Sequence, residues 1–161
     1  MMPSSIFLDR IVLGDCLKIL KDIPSDSINL IVTSPPYADN RKNTYGGIAP
    51  DKYVDWFLPI TAELKRVLKD DGSFVLNIKE KVVDGERHTY VLELILAMKR
   101  QGWLWTEEYM WHKRNSTPDF TIARGQHRRS KAEMLARFPC SRNGSNRFEG
   151  TPHARRIVQL L

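Results

Sequence analysis

Cysteine is scarce in this 161-residue chain, and the two present, Cys16 and Cys140, lie far apart and match no metal-ligand spacing. That excludes a disulfide-stapled scaffold and a cysteine-built metal centre. It points to a reduced setting and leaves neither thiol a good nucleophile; no metal is expected. Long apolar runs are missing as well. No stretch approaches the ~18 residues that span a bilayer, so no membrane partner is expected. The opening Met1-Met2-Pro3-Ser4-Ser5 has no basic n-region and no long apolar h-region, which argues against secretion and for a cytoplasmic location. Internal repeats are absent too.

What is there is a globular composition, 42% hydrophobic and 27% charged, in a length that suits one domain with a real core. The net charge of +6 is unevenly spread. Residues 1–111 hold 14 Lys/Arg against 16 Asp/Glu, whereas 112–161 hold 11 against 3. A near-neutral body followed by a strongly basic stretch suggests a polyanion partner, although basic tails without specific binding are common.

Apolar runs and turn residues outline an α/β chain. Ile11-Val12-Leu13 reads as a short strand, and Gly14-Asp15 turns it into a helix with Asp15 as N-cap. Pro24 and Ser25 stop that helix, and Ile28 to Thr33 is the next strand. A polar loop from Ala38 to Pro50, with Arg41, Lys42 and Gly46-Gly47, leads to a helix from Asp51 to about Lys69. Its apolar positions are Val54, Phe57, Leu58, Ala62, Leu64 and Leu68. Asp70-Asp71-Gly72 closes it before a strand from Ser73 to Ile78. After a loop from Lys79 to Arg87, Tyr90 to Arg100 forms an amphipathic helix capped by Gly102, and Trp103 to Trp111 reads as a last strand. The alternation predicts a mainly parallel sheet with helices on both faces. From Asn115 the periodicity is lost. Ala132 to Phe138 reads as a short helix, and the rest of 119–161 as a basic, irregular tail.

Thr33-Ser34-Pro35-Pro36-Tyr37 sits where the second strand ends, at the carboxyl edge of the sheet where open α/β folds hold ligands. The prolines stiffen the loop and extend the residues before them. Such a loop presents carbonyls, the Ser34 hydroxyl and the Tyr37 ring, which suits a planar guest with an exocyclic amino group, such as a nucleobase. The plain alternative is a proline turn after a buried strand, with Tyr37 as packing.

Five segments in order, G-D-C at 14–16, D-S-I-N-L-I-V-T-S-P-P-Y at 26–37, Y-V-D-W-F at 53–57, G-S-F-V-L-N-I at 72–78 and Y-M-W-H-K at 109–113, resemble the catalytic half of an amino-group DNA methyltransferase. More narrowly they resemble the N4-cytosine enzymes of restriction–modification systems, in the permuted order with the catalytic loop first. The likeness covers about residues 10–118, and residues 1–118 are taken as the catalytic half of a partial Rossmann-like methyltransferase sheet. It implies methyl transfer from S-adenosyl-L-methionine to a base flipped out of duplex DNA, with a cognate restriction endonuclease as partner. Ser34, Pro35, Pro36 and Tyr37 become the catalytic loop. Tyr37 stacks on the flipped ring, and the Ser34 hydroxyl and Pro35 carbonyl accept from its amino group. Asp15, Cys16 and Thr33 fall to the cofactor side, and Arg41, Lys42, Lys113 and Arg114 to DNA. Asp15 reads equally well as a plain helix cap. Trp111, His112 and Lys113 either line the base pocket or end a strand. Trp56 and Phe57 read as core. Serine rather than aspartate at 34 favours N4-cytosine over N6-adenine.

Two departures stand against the family pattern. The glycine-rich strand–turn of the cofactor site, with its following acidic residue, has no counterpart in 119–161, where Gly125, Gly144 and Gly150 are isolated. The likeness also fades after Pro118, where Lys gives way to Arg. Truncation and a basic recognition tail both explain this. The two functions in view are therefore a DNA amino-methyltransferase and an inactive fragment that binds DNA through its basic tail.

Overall fold

Asp15 starts the first helix by accepting the Lys18 amide at 3.1 Å on its side chain, so Cys16–Asp22 (α1) begins where a short acidic residue can satisfy a free backbone donor. In this computed structural model, residues 9–39, 47–112, 132–139 and 157–160 are described. After α1 come strand Ile28–Thr33 (β1), helix Pro50–Val67 (α2), strand Leu68–Ile78 (β2), a hairpin of Val82–Val83 (β3) and Glu86–Arg87 (β4), and helix Tyr90–Arg100 (α3). Strands Glu107–His112 (β5), Ala132–Pro139 (β6) and Ile157–Leu160 (β7) complete the order.

One sheet runs β5-β6-β2-β1-β7. β1 lies parallel to β2 and β7, while β6 is antiparallel to both β2 and β5. The α/β expectation holds, but the sheet is mixed rather than mainly parallel. The helices form one layer, with α2 against both α1 and α3. Beneath it, Ile31, Phe74, Leu76, Ile78, Met134, Ala136 and Phe138 share one sheet face and are buried. The helical side of this core is Tyr53, Phe57, Ile60, Leu64 and Val67, spaced 4-3-4-3 along α2, with Tyr90, Val91, Leu94, Ile95 and Met98 of α3. Leu30, Val32, Val75 and Leu135 point to the opposite face and stay half-buried. Among the described residues, then, helices cover one face and not both.

Polar contacts fasten the layer. The Arg66 guanidinium donates to the Ile23 and Leu20 carbonyls at 3.0 and 2.7 Å, closing the C-terminal end of α1 onto α2. Gln101 joins α2 to α3 through Thr61 and the Leu58 carbonyl, at 2.7 and 3.0 Å. On the open face, Arg137 reaches Ser73 at 3.1 Å and Glu107 at 3.4 Å, tying β6 to its two neighbours.

Several boundaries differ from the expectation. Ile11-Val12-Leu13 is no strand. Ile11 and Leu13 are fully exposed, and among the described residues no strand pairs with this segment to hold it extended. Asp70-Asp71-Gly72 is no helix stop. α2 ends at Val67, β2 begins at once, and 69–72 bulge out between the pairs Ile28–Leu68 and Leu30–Ser73. Lys79 to Arg87 contains a hairpin whose turn, Asp84-Gly85, has both residues at positive φ (51° and 88°), the backbone that a two-residue hairpin requires. The last strand starts at Glu107, because Trp103 leaves Gly102 (φ 87°) to pack into the core against Phe74 and Phe138 at 5.4 and 6.2 Å.

The largest correction concerns 119–161. Ala132–Pro139 is a strand between β2 and β5, not a short helix, and Ile157–Leu160 pairs with β1, so the stretch read as an irregular tail supplies two strands. Good helix formers fill 132–138, but Met134, Ala136 and Phe138 alternate with Leu135 and Arg137, and the open slot in the sheet decides the conformation.

Candidate active site

Because β1 and β2 are parallel, with Thr33 beside Leu76, their carboxyl ends open at the same edge. There the chain leaves the sheet as Ser34-Pro35-Pro36-Tyr37. Thr33 and Pro35 are buried, Ser34 is exposed, and Pro36 and Tyr37 are half-buried. The Ser34 hydroxyl and the Tyr37 phenol lie 3.1 Å apart, so the loop closes on itself with its serine and its ring side by side.

The loop is held from below. The Tyr53 hydroxyl, on the buried face of α2, donates to the Pro36 carbonyl at 2.9 Å. Tyr90 packs against the Tyr53 ring, and its hydroxyl donates to the Lys79 carbonyl after β2. Both phenols are fully buried, and burial pushes their pKa values well above the usual tyrosine range; for Tyr53 the neighbouring Tyr90 and Tyr37 add to the push. Both therefore remain neutral donors at any physiological pH. Further out, Lys81 pairs with Asp39, and the Asp39 amide donates to the Ile48 carbonyl at 2.8 Å.

Asp15 and Cys16 sit at the start of α1, and Asp15 plays the capping role weighed for it in the sequence. The Cys16 thiol is half-buried, and burial, then the Asp15 charge, push its pKa up. Trp56 is partly buried against the core and Phe57 lies within it. Trp111 is half exposed on β5 and His112 ends that strand. Arg41, Lys42, Lys113 and Arg114 lie outside the described residues. Among the described residues no three His, Cys, Asp or Glu side chains gather as a metal site, and no helix is long and apolar enough to cross a membrane.

Tyr53 and Tyr90 were not singled out as site residues from the sequence. Their signal was there: a tyrosine on the buried stripe of an amphipathic helix needs a partner for its hydroxyl, and the nearest irregular backbone supplies one.

Comparison with known proteins bears on this edge of the sheet. The family model described as DNA methylase, covering N6 and N4 methyltransferases, matches residues 28–135. The type II methyltransferase M.PvuII of Proteus hauseri is 35% identical over 109 residues, covering 66% of this chain and 32% of that protein. The solved structure of the cytosine-N4-specific PvuII DNA methyltransferase superposes with a TM-score of 0.69 at 26% identity, over 92% of this chain and 55% of that one. The DNA adenine methyltransferase YhdJ of Escherichia coli K12 is 38% identical over 77 residues, covering 45% of this chain and 26% of that protein. A structure described as a DNA modification methylase from Thermus thermophilus, complexed with S-adenosyl-L-methionine, shares the fold at a TM-score of 0.57 and 20% identity, over 79% of this chain and 51% of that one. The chain thus spans about half or less of the length of such relatives. With the Rossmann-like sheet, the loop at its carboxyl edge and a family match over most of its length, the chain belongs to the N6/N4 DNA methylase family.

Proposed function

We propose that this chain provides the base-holding half of a DNA methyltransferase that modifies the exocyclic N4 of cytosine in duplex DNA. The observation that carries this is the side-by-side placement of the Ser34 hydroxyl and Tyr37 ring, 3.1 Å apart at the oxygen atoms, at the carboxyl edge of β1. An exocyclic amino group has its lone pair drawn into the ring and is a poor nucleophile. Two acceptors on its N–H bonds return density to nitrogen and hold it in line. Pro35 and Ser34 supply those acceptors. If Ser34 donates its own proton to the Tyr37 oxygen, both of its lone pairs stay open to the substrate. Tyr37 offers the stacking face for a base taken out of the duplex. The proton displaced when nitrogen gains its methyl leaves to water at the open edge.

S-adenosyl-L-methionine, when bound, supplies an electrophilic methyl on a sulfonium. Asp15, Cys16 and Thr33 are the residues we assign to its side of the site, but the fit is thin. Asp15 is engaged as a cap, and the described residues contain no glycine-rich turn followed by an acid. Cofactor affinity of this chain alone should therefore be weak. Arg41, Lys42, Lys113 and Arg114 are assigned to the phosphate backbone, and a restriction endonuclease of the same specificity is the partner such an enzyme serves. Serine at 34 favours cytosine; the adenine methyltransferase among the relatives keeps N6-adenine as the alternative product.

The thin cofactor side favours a second reading, an inactive DNA-binding fragment. Calorimetric titration with S-adenosyl-L-methionine separates them. Binding that is weak but real, and strengthened by a complementing glycine-loop half, supports the enzyme, whereas none under either condition supports the fragment.

A further inference from the structure

Two buried phenols in contact with each other lie beneath the Tyr37 loop. The Tyr53 hydroxyl holds the carbonyl of the peptide that precedes Tyr37, Pro36 C=O, at 2.9 Å. The Tyr90 hydroxyl donates to the Lys79 carbonyl, at the end of β2. The two rings touch at 4.8 Å between centroids, one from α2 and one from the first position of α3. Phenylalanine would fill either site with the same ring, and a fully buried hydroxyl is costly unless it is bonded. The two oxygens are thus best explained by what they hold.

We infer that Tyr53 and Tyr90 are positioning residues: Tyr53 fixes the peptide that leads into Tyr37, Tyr90 braces Tyr53 from α3, and together they aim the Tyr37 ring at the target base. Fixing the peptide plane that enters the Tyr37 α-carbon narrows the positions its ring can take. Because Tyr90 packs on Tyr53 and bonds the segment after β2, the loop after β1 is registered to the end of β2 as well. The inference rests on the reading of 34–37 as the base-holding loop. Small misplacements of such a group cost rate more than binding, about a hundredfold for an ångström.

The test measures amide exchange by NMR and steady-state methyl transfer on duplex DNA for wild type, Tyr53→Phe and Tyr90→Phe, each with its core amides in β2 as a folding control. Exchange at Tyr37 and Ala38 should speed up at least about tenfold while β2 stays protected. The kcat should fall about ten- to a hundredfold with the KM for DNA nearly unchanged. Loop exchange at the wild-type rate in both variants would overturn the clamp, as would loosened loop amides with undiminished kcat. Wild-type protein without methyl transfer, even with a complementing half, would sink the functional reading, and the exchange data would still decide whether the phenols hold the loop.

Discussion

Ser34 and Tyr37 sit on an edge loop, one exposed and one half-buried, so removing their side chains should barely touch folding. In an active form, Ser34→Ala and Tyr37→Ala are expected to cut methyl transfer by orders of magnitude, with melting temperatures near wild type. Tyr37→Phe keeps the stacking face but loses the partner of Ser34, so its loss should be the smaller one. A Tyr37→Ala protein that methylates normally would remove this residue from the site. Tyr53 and Tyr90 make a separate prediction through pH. Their folded pKa values lie above the ordinary 10.0, so the unfolded chain loses those protons first. The stability they contribute is complete below pH 10 and is lost as pH rises beyond it. Denaturant titrations between pH 8 and about 11.5 should show that decline, and Tyr53→Phe and Tyr90→Phe should each flatten it. This pair also marks what the sequence left hidden. Ser34 and Tyr37 stand in a recognisable run, whereas the partners of Tyr53 and Tyr90 lie 17 and 11 residues away along the chain.

Elements whose hydrophobic period is strong, β1, α2 and α3, were readable to within a few residues, because one face of each meets the same core. Those that depend on a neighbour were not. Ala132–Pro139 carries helix-forming residues and becomes a strand only because β2 and β5 leave a place between them. If that placement is right, Phe138→Ala should cost about 3–5 kcal/mol in chemical denaturation, the range for an aromatic removed from a packed core. A cost near zero would mean that Phe138 is not packed in the core and that 132–138 is not the inner strand described. The bulge at 69–72 was misread as a helix stop because Asp-Asp-Gly signals a turn whatever surrounds it. Gly72 is needed there: an added β-carbon would lie 2.7 Å from the Leu68 side chain and 2.9 Å from the Lys69 carbonyl. Gly72→Ala should therefore destabilise the protein by about 1–3 kcal/mol, as overpacking does.

At the scale of the whole molecule, the order of five short motifs was more telling than any periodicity, since a catalytic loop is held in sequence while strand pairing is settled in space. What the sequence could not reveal was the mixed sheet, because β6 and β7 come from a stretch without a clear pattern. The charge asymmetry it did reveal carries its own prediction. With 11 Lys/Arg against 3 Asp/Glu in 112–161, duplex DNA should bind with little sequence preference, and log affinity should fall with log salt by about 0.9 per phosphate neutralised. A salt-independent affinity would mean that this segment does not meet the backbone.

The most direct measurement supplies duplex DNA and labelled S-adenosyl-L-methionine to the chain, alone and with the glycine-loop half of a related enzyme. The DNA is then digested to nucleosides for mass spectrometry. The predicted result is label in N4-methylcytosine, faint for the chain alone, strong with the added half, and abolished by Ser34→Ala. Label in N6-methyladenine would keep amino-group chemistry and overturn the assignment of Ser34 to cytosine. Label at carbon 5 of cytosine, which requires a cysteine nucleophile this loop does not contain, would contradict the proposed chemistry altogether.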